Sequence, residues 1–451
     1  MGLNPLSWLL PDTSVSFHHS PNPLSLSPKK KASKAGSDGA EDDPKQNISL
    51  SDLCKAATPE KCQLNPLLFN GHLQTAYTVV KNVDVPIYYK RKIFEADNAV
   101  YKGQFVVDFV VEPYDGPGVD EASPAEKTKA TSNDAQTDQD LPPRTTFFSE
   151  SEAASLGSTD TKPMLVALHG LSGGSHELYL RHVLAPLVKS GGDGDAGWEA
   201  CVVNSRGCAN SKITTGVLYN ARATWDVRQA VRWLREKFPN RPLFGIGFSL
   251  GANILTNYLG EEEVSSMALK RTWTGLEVYS KTMGTNMKKL FEAHVDQISK
   301  NPAIDVERIR NIKYLHEFDR ELQCPTWGYP TENAYYRDAS SVDSLLAIRI
   351  PFFAIHAEDD PISVKEAVPY AEFERTPYGV LCTTAWGGHL SWFEIGGGRW
   401  FAKPATNFLN KMAKEIDLES PIHVDSAEMR DLTSKASFDP MRRKLEMVLA
   451  N

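Results

Sequence analysis

The chain of 451 residues contains no apolar run that approaches the roughly 20 residues of a membrane-spanning helix. It carries a net charge of -8, so it lacks the basic excess typical of nucleic-acid-binding proteins, and nucleic acid is not an expected partner. Six cysteines occur without CxxC or zinc-finger spacing, which predicts reduced thiols in an intracellular protein. Residues 4–11 are apolar but too short to span a membrane, and they lack the basic flank of a signal peptide. We therefore expect a cytoplasmic protein, and peripheral contact with a membrane or lipid droplet remains open.

Polar segments divide the chain. Residues 1–50 are rich in Ser, Pro and Lys, which predicts a disordered N-terminal tail. The basic cluster at 29–34 is interpreted as a solvated part of that tail, with a localisation signal as the alternative. Residues 115–161 are acidic and poor in apolar side chains, as expected of a long surface insertion. One domain over residues 51–415 is predicted to hold the ordered core, followed by a C-terminal extension over 416–451.

Apolar strands alternate with helical segments in the ordered part. The runs "MLVALHG" (164–170), "EACVVNSRG" (199–207) and "PLFGIGF" (242–248) each predict a buried strand. Between the last two, "TWDVRQAVRWLREKF" places apolar residues at helical spacing. Two further runs, "IPFFAIHAEDD" and "YGVLCTTAWGGHLSW", each predict a strand that enters a polar turn. The pattern predicts an α/β fold with a mostly parallel sheet covered by helices on both faces.

The stretch "GFSLG" places Ser249 between two glycines, after a predicted strand and before a predicted helix. In a G-x-S-x-G turn the serine adopts a strained conformation, and only small residues two positions away avoid a clash. The hydroxyl then projects from the sheet, and the N-terminus of the following helix favours negative charge. An ordinary turn with a capping serine is the alternative. The strand–turn–helix context favours a nucleophile.

A serine nucleophile needs a base and a carboxylate that orients the base, and in this arrangement the acid precedes the histidine in the chain. His389 follows a late strand and two glycines, so it is the candidate base. The pattern small-x-x-Asp-Pro-hydrophobic selects Asp360 as the acid, with Asp359 as the fallback. A metal site built from His356 and these two aspartates is crowded and has no fourth ligand in view.

The oxyanion of the reaction needs two backbone N–H donors. Leu250, directly after the serine, is predicted to supply one. Leu171, in the "HGLSGGS" loop after the first apolar strand, is predicted to supply the other. His169 in that loop is interpreted as a structural hydrogen-bonding residue rather than a second base.

Several longer motifs extend these patterns. They are "NPLLFNGHLQT" (65–75), "LHGLSGGSHELYLRHV" (168–183), "NSRGCANS" (204–211), "GFSLGANILTNYLGEE", "WGYPTENAYYRDASS" (327–341), "HAEDDPIS" and "GGHLSWFE". Through them the chain resembles the α/β-hydrolase subfamily of the yeast medium-chain fatty acid ethyl ester synthases/esterases and their bacterial and animal relatives, over about residues 60–415.

The resemblance implies Ser249 as nucleophile, Asp360 as acid and His389 as base, with no metal or organic cofactor. It implies an acyl-CoA or lipid ester as one substrate and a small alcohol or water as the other. The expected enzyme forms and hydrolyses medium-chain fatty acid esters. A monoacylglycerol lipase or phospholipase is the alternative. Neither acyl length nor oligomeric state can be inferred from these motifs.

The chain departs from its relatives after the nucleophile helix. Relatives have an apolar strand there, followed by a helical cap, whereas here "NYLGEEE" leads directly into a cap-type sequence over about 264–340. A central strand is therefore expected to be missing near Glu263. The strands on either side must then pair directly or recruit a substitute such as residues 273–280. A catalytically impaired isoform that acts through binding is thus a second functional class.

Overall fold

The computed structural model describes residues 12–29, 47–80, 84–114, 141–189, 197–261 and 279–420. The chain divides into two compact units. The histidine unit, named for His389, comprises residues 1–82, 259–266 and 342–442. The serine unit, named for Ser249, comprises residues 83–258, 267–341 and 443–451.

The strands of the described residues are β1 (Asp12–Thr13), β2 (Val15–His18), β3 (Ser25–Leu26), β4 (Ile48–Ser49), β5 (Cys62–Gln63), β6 (Tyr88–Glu95), β7 (Gln104–Val111), β8 (Thr145–Phe147), β9 (Met164–Leu168), β10 (Glu199–Asn204), β11 (Leu243–Gly247), β12 (Phe352–Ala357) and β13 (Gly379–Thr384).

The helices are α1 (Leu50–Ala57), α2 (Gly71–Val80), α3 (Glu150–Ala154), α4 (Leu178–Val188), α5 (Thr224–Lys237), α6 (Leu250–Glu261), α7 (Lys281–Ala293), α8 (Val295–Ile298), α9 (Val306–Asn311), α10 (Leu315–Phe318), α11 (Cys324–Trp327), α12 (Glu332–Ala339), α13 (Val342–Ala347), α14 (Tyr370–Arg375) and α15 (Ala402–Glu415). A π-helical turn covers Asp319–Gln323 and a 3-10 turn covers Lys365–Ala367.

A six-stranded sheet in the order β11-β9-β10-β7-β6-β8 forms the centre of the serine unit. The pairs β11/β9, β9/β10 and β6/β8 are parallel, and the pairs through β7 are antiparallel. Every residue of β9 is buried. The three strands predicted from apolar runs are therefore neighbours, and their carboxyl ends meet at one edge of the sheet, where chemistry gathers in α/β folds.

Helix α5 covers one face of this sheet, as its apolar spacing predicts. Val227, Ala230 and Leu234 are buried in one hydrophobic cluster with the β9 residues Val166 and Leu168. Burial of Val227 and of Leu234 contributes about 1.5–3 kcal/mol each relative to an exposed position. The amphipathic pattern thus fixes which face of α5 contacts the sheet.

The helices α7 to α12 lie in the region expected to form a cap. Met287, Phe291 and Ile298 are buried in a second cluster of the serine unit. His294, at φ -130°, ends α7, and α8 starts directly after it. The helical character of the described part of this region agrees with the expected helical cap.

A three-stranded sheet in the order β12-β13-β2 forms the centre of the histidine unit. The expected disordered tail does not hold for residues 12–29, because β2 pairs antiparallel with β13 and β3 pairs with β4. Helix α1 packs against α15 in the same unit. Pairing with a strand far away in the chain orders this segment, and local composition gives no sign of that partner.

The strands that precede and follow the gap expected near Glu263 both lie at the edge of a sheet. Strand β11 is an end strand of the six-stranded sheet, and β12 is an end strand of the three-stranded sheet. Direct pairing of these two strands, one of the expected outcomes, is thus not present in the described sheets. Of the proposed substitute, residues 273–278 lie outside the described residues, and Tyr279 and Ser280 are helical.

The predicted polar insertion is partly described. Residues 115–140 lie outside the described residues, whereas 141–161 include β8 and α3. Helix α3 begins with a capping box, in which Ser149 and Glu152 satisfy each other's backbone N–H groups. Residues 421–451 of the predicted C-terminal extension also lie outside the described residues.

Candidate functional site

Ser249 lies in a tight turn between β11 and α6. Its φ angle is +52°, a left-handed conformation that is rare for residues other than glycine. The backbone N–H of Ala252 donates to the Ser249 carbonyl at 3.0 Å, and Phe248 N donates to Leu168 O at 3.0 Å. The turn is therefore anchored both to α6 and to the neighbouring strand β9.

The glycines on either side of Ser249 are required by close packing. A Cβ on Gly247 would lie 2.5 Å from the carbonyl oxygen of Gly251. A Cβ on Gly251 would overlap the carbonyl oxygen of Leu168. Glycine is thus needed two positions before and two positions after Ser249, because any side chain there would collide with a backbone carbonyl oxygen.

The loop after β9 carries the predicted oxyanion residue Leu171. Its neighbours are tied down, because Gly170 N donates to the Tyr179 hydroxyl at 2.8 Å and Ser172 N to the Tyr219 hydroxyl at 2.9 Å. These two bonds hold the loop on both sides of Leu171. The use of the Leu171 and Leu250 N–H groups as oxyanion donors stays a prediction.

His169 is buried at the start of this loop. Its Nδ1 bonds the carbonyl of Gly170 at 2.6 Å, and its Nε2 bonds the backbone N–H of Ser205 at 3.1 Å. Burial lowers the pKa of His169 to about 4, so the ring is neutral at physiological pH. Both nitrogens are used in backbone bonds, in line with the interpretation of His169 as structural.

A buried ion pair lies at the far end of the loop, and sequence reasoning missed it. Asp108 on β7 contacts Arg91 on β6 through two bonds of 2.7 and 2.9 Å, and both side chains are fully buried. The same carboxylate accepts from the Ser175 hydroxyl at 2.6 Å and from the Asn204 amide at 2.8 Å. Asn204 Oδ1 in turn accepts from Ser175 N at 3.0 Å. The loop that carries Leu171 is therefore anchored at Ser175.

The histidine unit brings His389 and Asp360 together. His389 Nδ1 lies 2.7 Å from Asp360 Oδ2. The other oxygen, Oδ1, accepts from Ile362 N at 2.7 Å and Ser363 N at 2.9 Å. Burial raises the pKa of Asp360, but its electrostatic interaction and hydrogen bond with His389, together with the two backbone bonds, outweigh burial and hold the pKa below its usual value. The carboxylate is thus ionised and placed to orient the ring.

Asp359, the fallback candidate, has a different contact. Its Oδ1 accepts from the backbone N–H of Gly388 at 2.9 Å. Burial raises the pKa of Asp359 above its usual value, and the backbone bonds to Gly388, Gly387 and Gly71 oppose that shift. Of the two aspartates, Asp360 contacts the histidine ring and Asp359 contacts the histidine loop backbone.

The motif "NPLLFNGHLQT" contains the start of α2 and supports the histidine loop (387–393). The Thr75 hydroxyl accepts from His389 N at 2.9 Å, and Gln74 Oε1 accepts from Phe393 N at 2.8 Å. The Thr78 and Ser391 hydroxyls lie 3.1 Å apart. The sequence analysis noted this motif but assigned it no role. The signal that could have revealed the role is that its polar residues share one face of a helix.

The described ranges were searched for candidate metal-binding clusters and for membrane-spanning helices. Among these residues, no group of three His, Cys, Asp or Glu side chains is arranged to hold a metal ion. In the same part of the chain, no helix has the length and hydropathy needed to cross a membrane. All six cysteines are buried and unpaired.

Comparison with known proteins gives matches to a family model, to yeast enzymes and to solved structures. A family model described as alpha/beta hydrolase fold matches residues 163–293. The monoacylglycerol lipase of Saccharomyces cerevisiae is 35% identical over 403 residues, which cover 83% of this chain and 87% of that protein. Medium-chain fatty acid ethyl ester synthase/esterase 2 of the same yeast is 28% identical, over 82% of this chain and 91% of its own. A solved esterase of Pyrococcus furiosus has a TM-score of 0.39 at 15% identity, covering 72% of this chain and 91% of its own.

Proposed function

The chain belongs to the α/β-hydrolase family together with these yeast enzymes, and from that premise we propose that it is a serine hydrolase of lipid esters, with a monoacylglycerol as the leading substrate. The observation that carries the proposal is the left-handed Ser249 between β11 and α6. A serine held at that cost in strain is typical of a site where the strain is used.

In the proposed reaction, Ser249 Oγ attacks the ester carbonyl while His389 Nε2 takes the hydroxyl proton. The tetrahedral oxyanion accepts hydrogen bonds from the N–H groups of Leu171 and Leu250. Collapse of the intermediate breaks the ester C–O bond, and the imidazolium returns its proton to the leaving glycerol oxygen. Water then hydrolyses the acyl-enzyme by the same steps and releases the fatty acid.

Asp360 has a supporting role in this proposal. Its bond to His389 Nδ1 fixes the tautomer in which Nε2 carries the lone pair that accepts the proton. It also stabilises the imidazolium that forms during attack. The two N–H groups that bond Oδ1 hold the carboxylate in that orientation.

Acyl transfer to an alcohol is the second candidate, since one relative is an ethyl ester synthase/esterase. The acyl-enzyme is common to both reactions, so the acceptor alone distinguishes them. Incubation with a monoacylglycerol in the presence of ethanol separates the outcomes: a hydrolase releases free acid, and a transferase also forms the ethyl ester. Replacing the glyceride by a medium-chain acyl-CoA tests the thioester as donor.

A fluorophosphonate probe tests the proposed site directly. We expect covalent labelling of the wild-type chain, and neither labelling nor ester hydrolysis in Ser249→Ala. His389→Ala should lose both to a similar extent, since triad members act as a unit. If Ser249→Ala keeps more than about a tenth of the wild-type rate, against the orders of magnitude expected, the nucleophile assignment is wrong. Absence of labelling in a folded wild-type chain would favour the impaired isoform.

A further inference from the structure

Helix α2 buries polar side chains and exposes apolar ones, which is the reverse of the usual arrangement in a surface helix. Gln74 is fully buried, and Thr75 and Thr78 are half-buried on the face that hydrogen-bonds the histidine loop. Leu73, Val79 and Val80 are exposed instead. A surface helix normally buries its apolar stripe and exposes its polar one.

The exposed side chains of α2 share one stripe. At 100° per residue, positions 72, 73, 76, 79 and 80 fall within about 120° of one another, and all five are exposed. Val79 is 85% exposed and Val80 is 78% exposed. Only His72 in this stripe carries a polar side chain.

The turn before α2 adds two more apolar side chains. Leu67 is 79% exposed and Phe69 is also exposed. Together with Leu73, Val79 and Val80 they form what we call the α2 patch, which holds five of the nine large exposed hydrophobic residues in the described part of the chain. Scattered exposed leucines and valines are ordinary, whereas a concentration within 14 residues marks an interaction surface.

We propose that the α2 patch docks the protein on a phospholipid surface. No Asp, Glu, Lys or Arg occurs from Gln63 to Val80. The α2 patch therefore offers apolar contact, and this segment has no charged side chain that a charged partner could pair with. The face of a ten-residue helix, about 15 Å long and about 10 Å wide, covers about 150 Å², far below the ~800 Å² per partner of a stable protein interface. A lipid surface demands no such area, because an amphipathic helix inserts only its apolar face into the headgroup and acyl boundary.

The same helix links this surface to the proposed base. Its inward residues Thr75 and Gln74 hold the histidine loop, and its outward residues form the α2 patch. An ester dissolved in a lipid surface would thus be presented at the helix that positions His389. The docking surface is independent of the chemistry, so its test uses lipid binding rather than turnover.

Flotation with phosphatidylcholine vesicles tests the proposal. We expect the full chain to float with vesicles, and to a similar extent in low and high salt, because none of the five side chains of the α2 patch is charged. The triple variant Leu67→Ser, Val79→Ser, Val80→Ser should lose about a thousandfold in partition, since each inserted side chain is worth about tenfold. Ser249→Ala should float as the wild type does, which separates failure of docking from failure of the proposed activity.

A matched control removes three exposed apolar side chains elsewhere, namely Val100, Ile350 and Leu418. Replacing these by serine should leave flotation unchanged. If the triple variant fails to fold by thermal melting, Phe69→Gln with Leu73→Gln serves as the second variant and is expected to lose about tenfold or more. Flotation of a folded patch variant at the wild-type level, or no flotation of the wild type, overturns the proposal. A dimer that the patch variants abolish without changing flotation would assign the patch to a second copy instead.

Discussion

Asp108 is a sharp test of how the Leu171 loop is held. The Asp108→Ala change removes a fully buried carboxylate that Arg91, Ser175 and Asn204 all contact. Arg91 then keeps only its bond of 2.9 Å to the carbonyl of Ala209 among its described side-chain contacts. Its charge is left uncompensated inside the protein, and the Ser175 hydroxyl and Asn204 amide lose their acceptor.

The expected loss of stability follows from these contacts. Breaking a buried ion pair by removing one partner costs about 3–5 kcal/mol. Each polar group left without its acceptor adds up to about 1–3 kcal/mol unless water enters. A total near 5 kcal/mol would lower the melting temperature by about 10–20 °C in a unit of this size. Ser175 anchors the loop that carries Leu171, so we also expect a fall in kcat of about 10- to 100-fold, below the ~10²–10³ for complete loss of an oxyanion donor.

Asp226→Ala is the matched control. Asp226 forms the second buried two-bond ion pair of the serine unit, at 2.7 and 2.8 Å from Arg206, and Arg206 also bonds the carbonyls of Tyr101 and Lys102. We expect a comparable drop in melting temperature, with little change in kcat below both transitions. Thermal melting and steady-state kinetics on a soluble ester measure both. Equal losses of kcat in the two variants would refute the idea that Asp108 holds the loop.

Two further predictions concern the acid and the gap. Asp360→Asn should lower kcat by orders of magnitude, because an amide favours the wrong tautomer of His389. Asp359→Asn should lower kcat far less. Burial raises the pKa of Asp359, so the folded state binds the proton of this carboxyl more tightly than the unfolded state does. The free energy of unfolding therefore falls as pH rises towards that raised pKa. Asp359→Asn should therefore melt no lower than the wild type near neutral pH, and the reverse ranking of kcat would move the acid role to Asp359. Inserting a relative's strand after Glu263 should raise both the melting temperature and the rate of fluorophosphonate labelling. If the original chain already matches the insertion variant in melting temperature and in labelling rate, the expected deletion does no damage.

The elements predicted best are those that local pattern determines. The apolar runs ending near Leu168, Asn204 and Gly247 form the strands β9, β10 and β11. The helix α5 buries the predicted stripe. In each case burial on both faces or on one stripe requires a continuous sequence pattern, so the pattern is visible without knowledge of the partner.

The contact between Asp360 and His389 agrees with reasoning from chain order. Both residues directly follow predicted strands, and strands β12 and β13 are parallel neighbours, so the loops at their carboxyl ends lie together. The choice of Asp360 over Asp359 came from the proline that follows it. The roles of both residues in catalysis remain predictions.

Elements that depend on distant partners could not be predicted. Nothing within "VSFH" shows that β2 pairs with β13, and a two-residue strand such as β3 has no periodicity at all. Asp108 sits in an apolar strand, where a single carboxylate suggests an outward-facing residue rather than a buried anchor for a loop. The reversed polarity of α2 was equally hidden, because its inward partners are backbone N–H groups of another loop.

The pairing of β2 with β13 sets an order of events during synthesis. His18 and Thr383, which share a hydrogen bond across this pair, are 365 residues apart. At about 5–20 residues per second, β2 leaves the ribosome roughly 20–70 s before its partner exists. The six strands of the serine sheet are all available once Gly247 has emerged. A nascent chain thus presents the Ser249 turn before its proposed base, His389, has been synthesised, and the proposed activity begins only when translation is nearly complete.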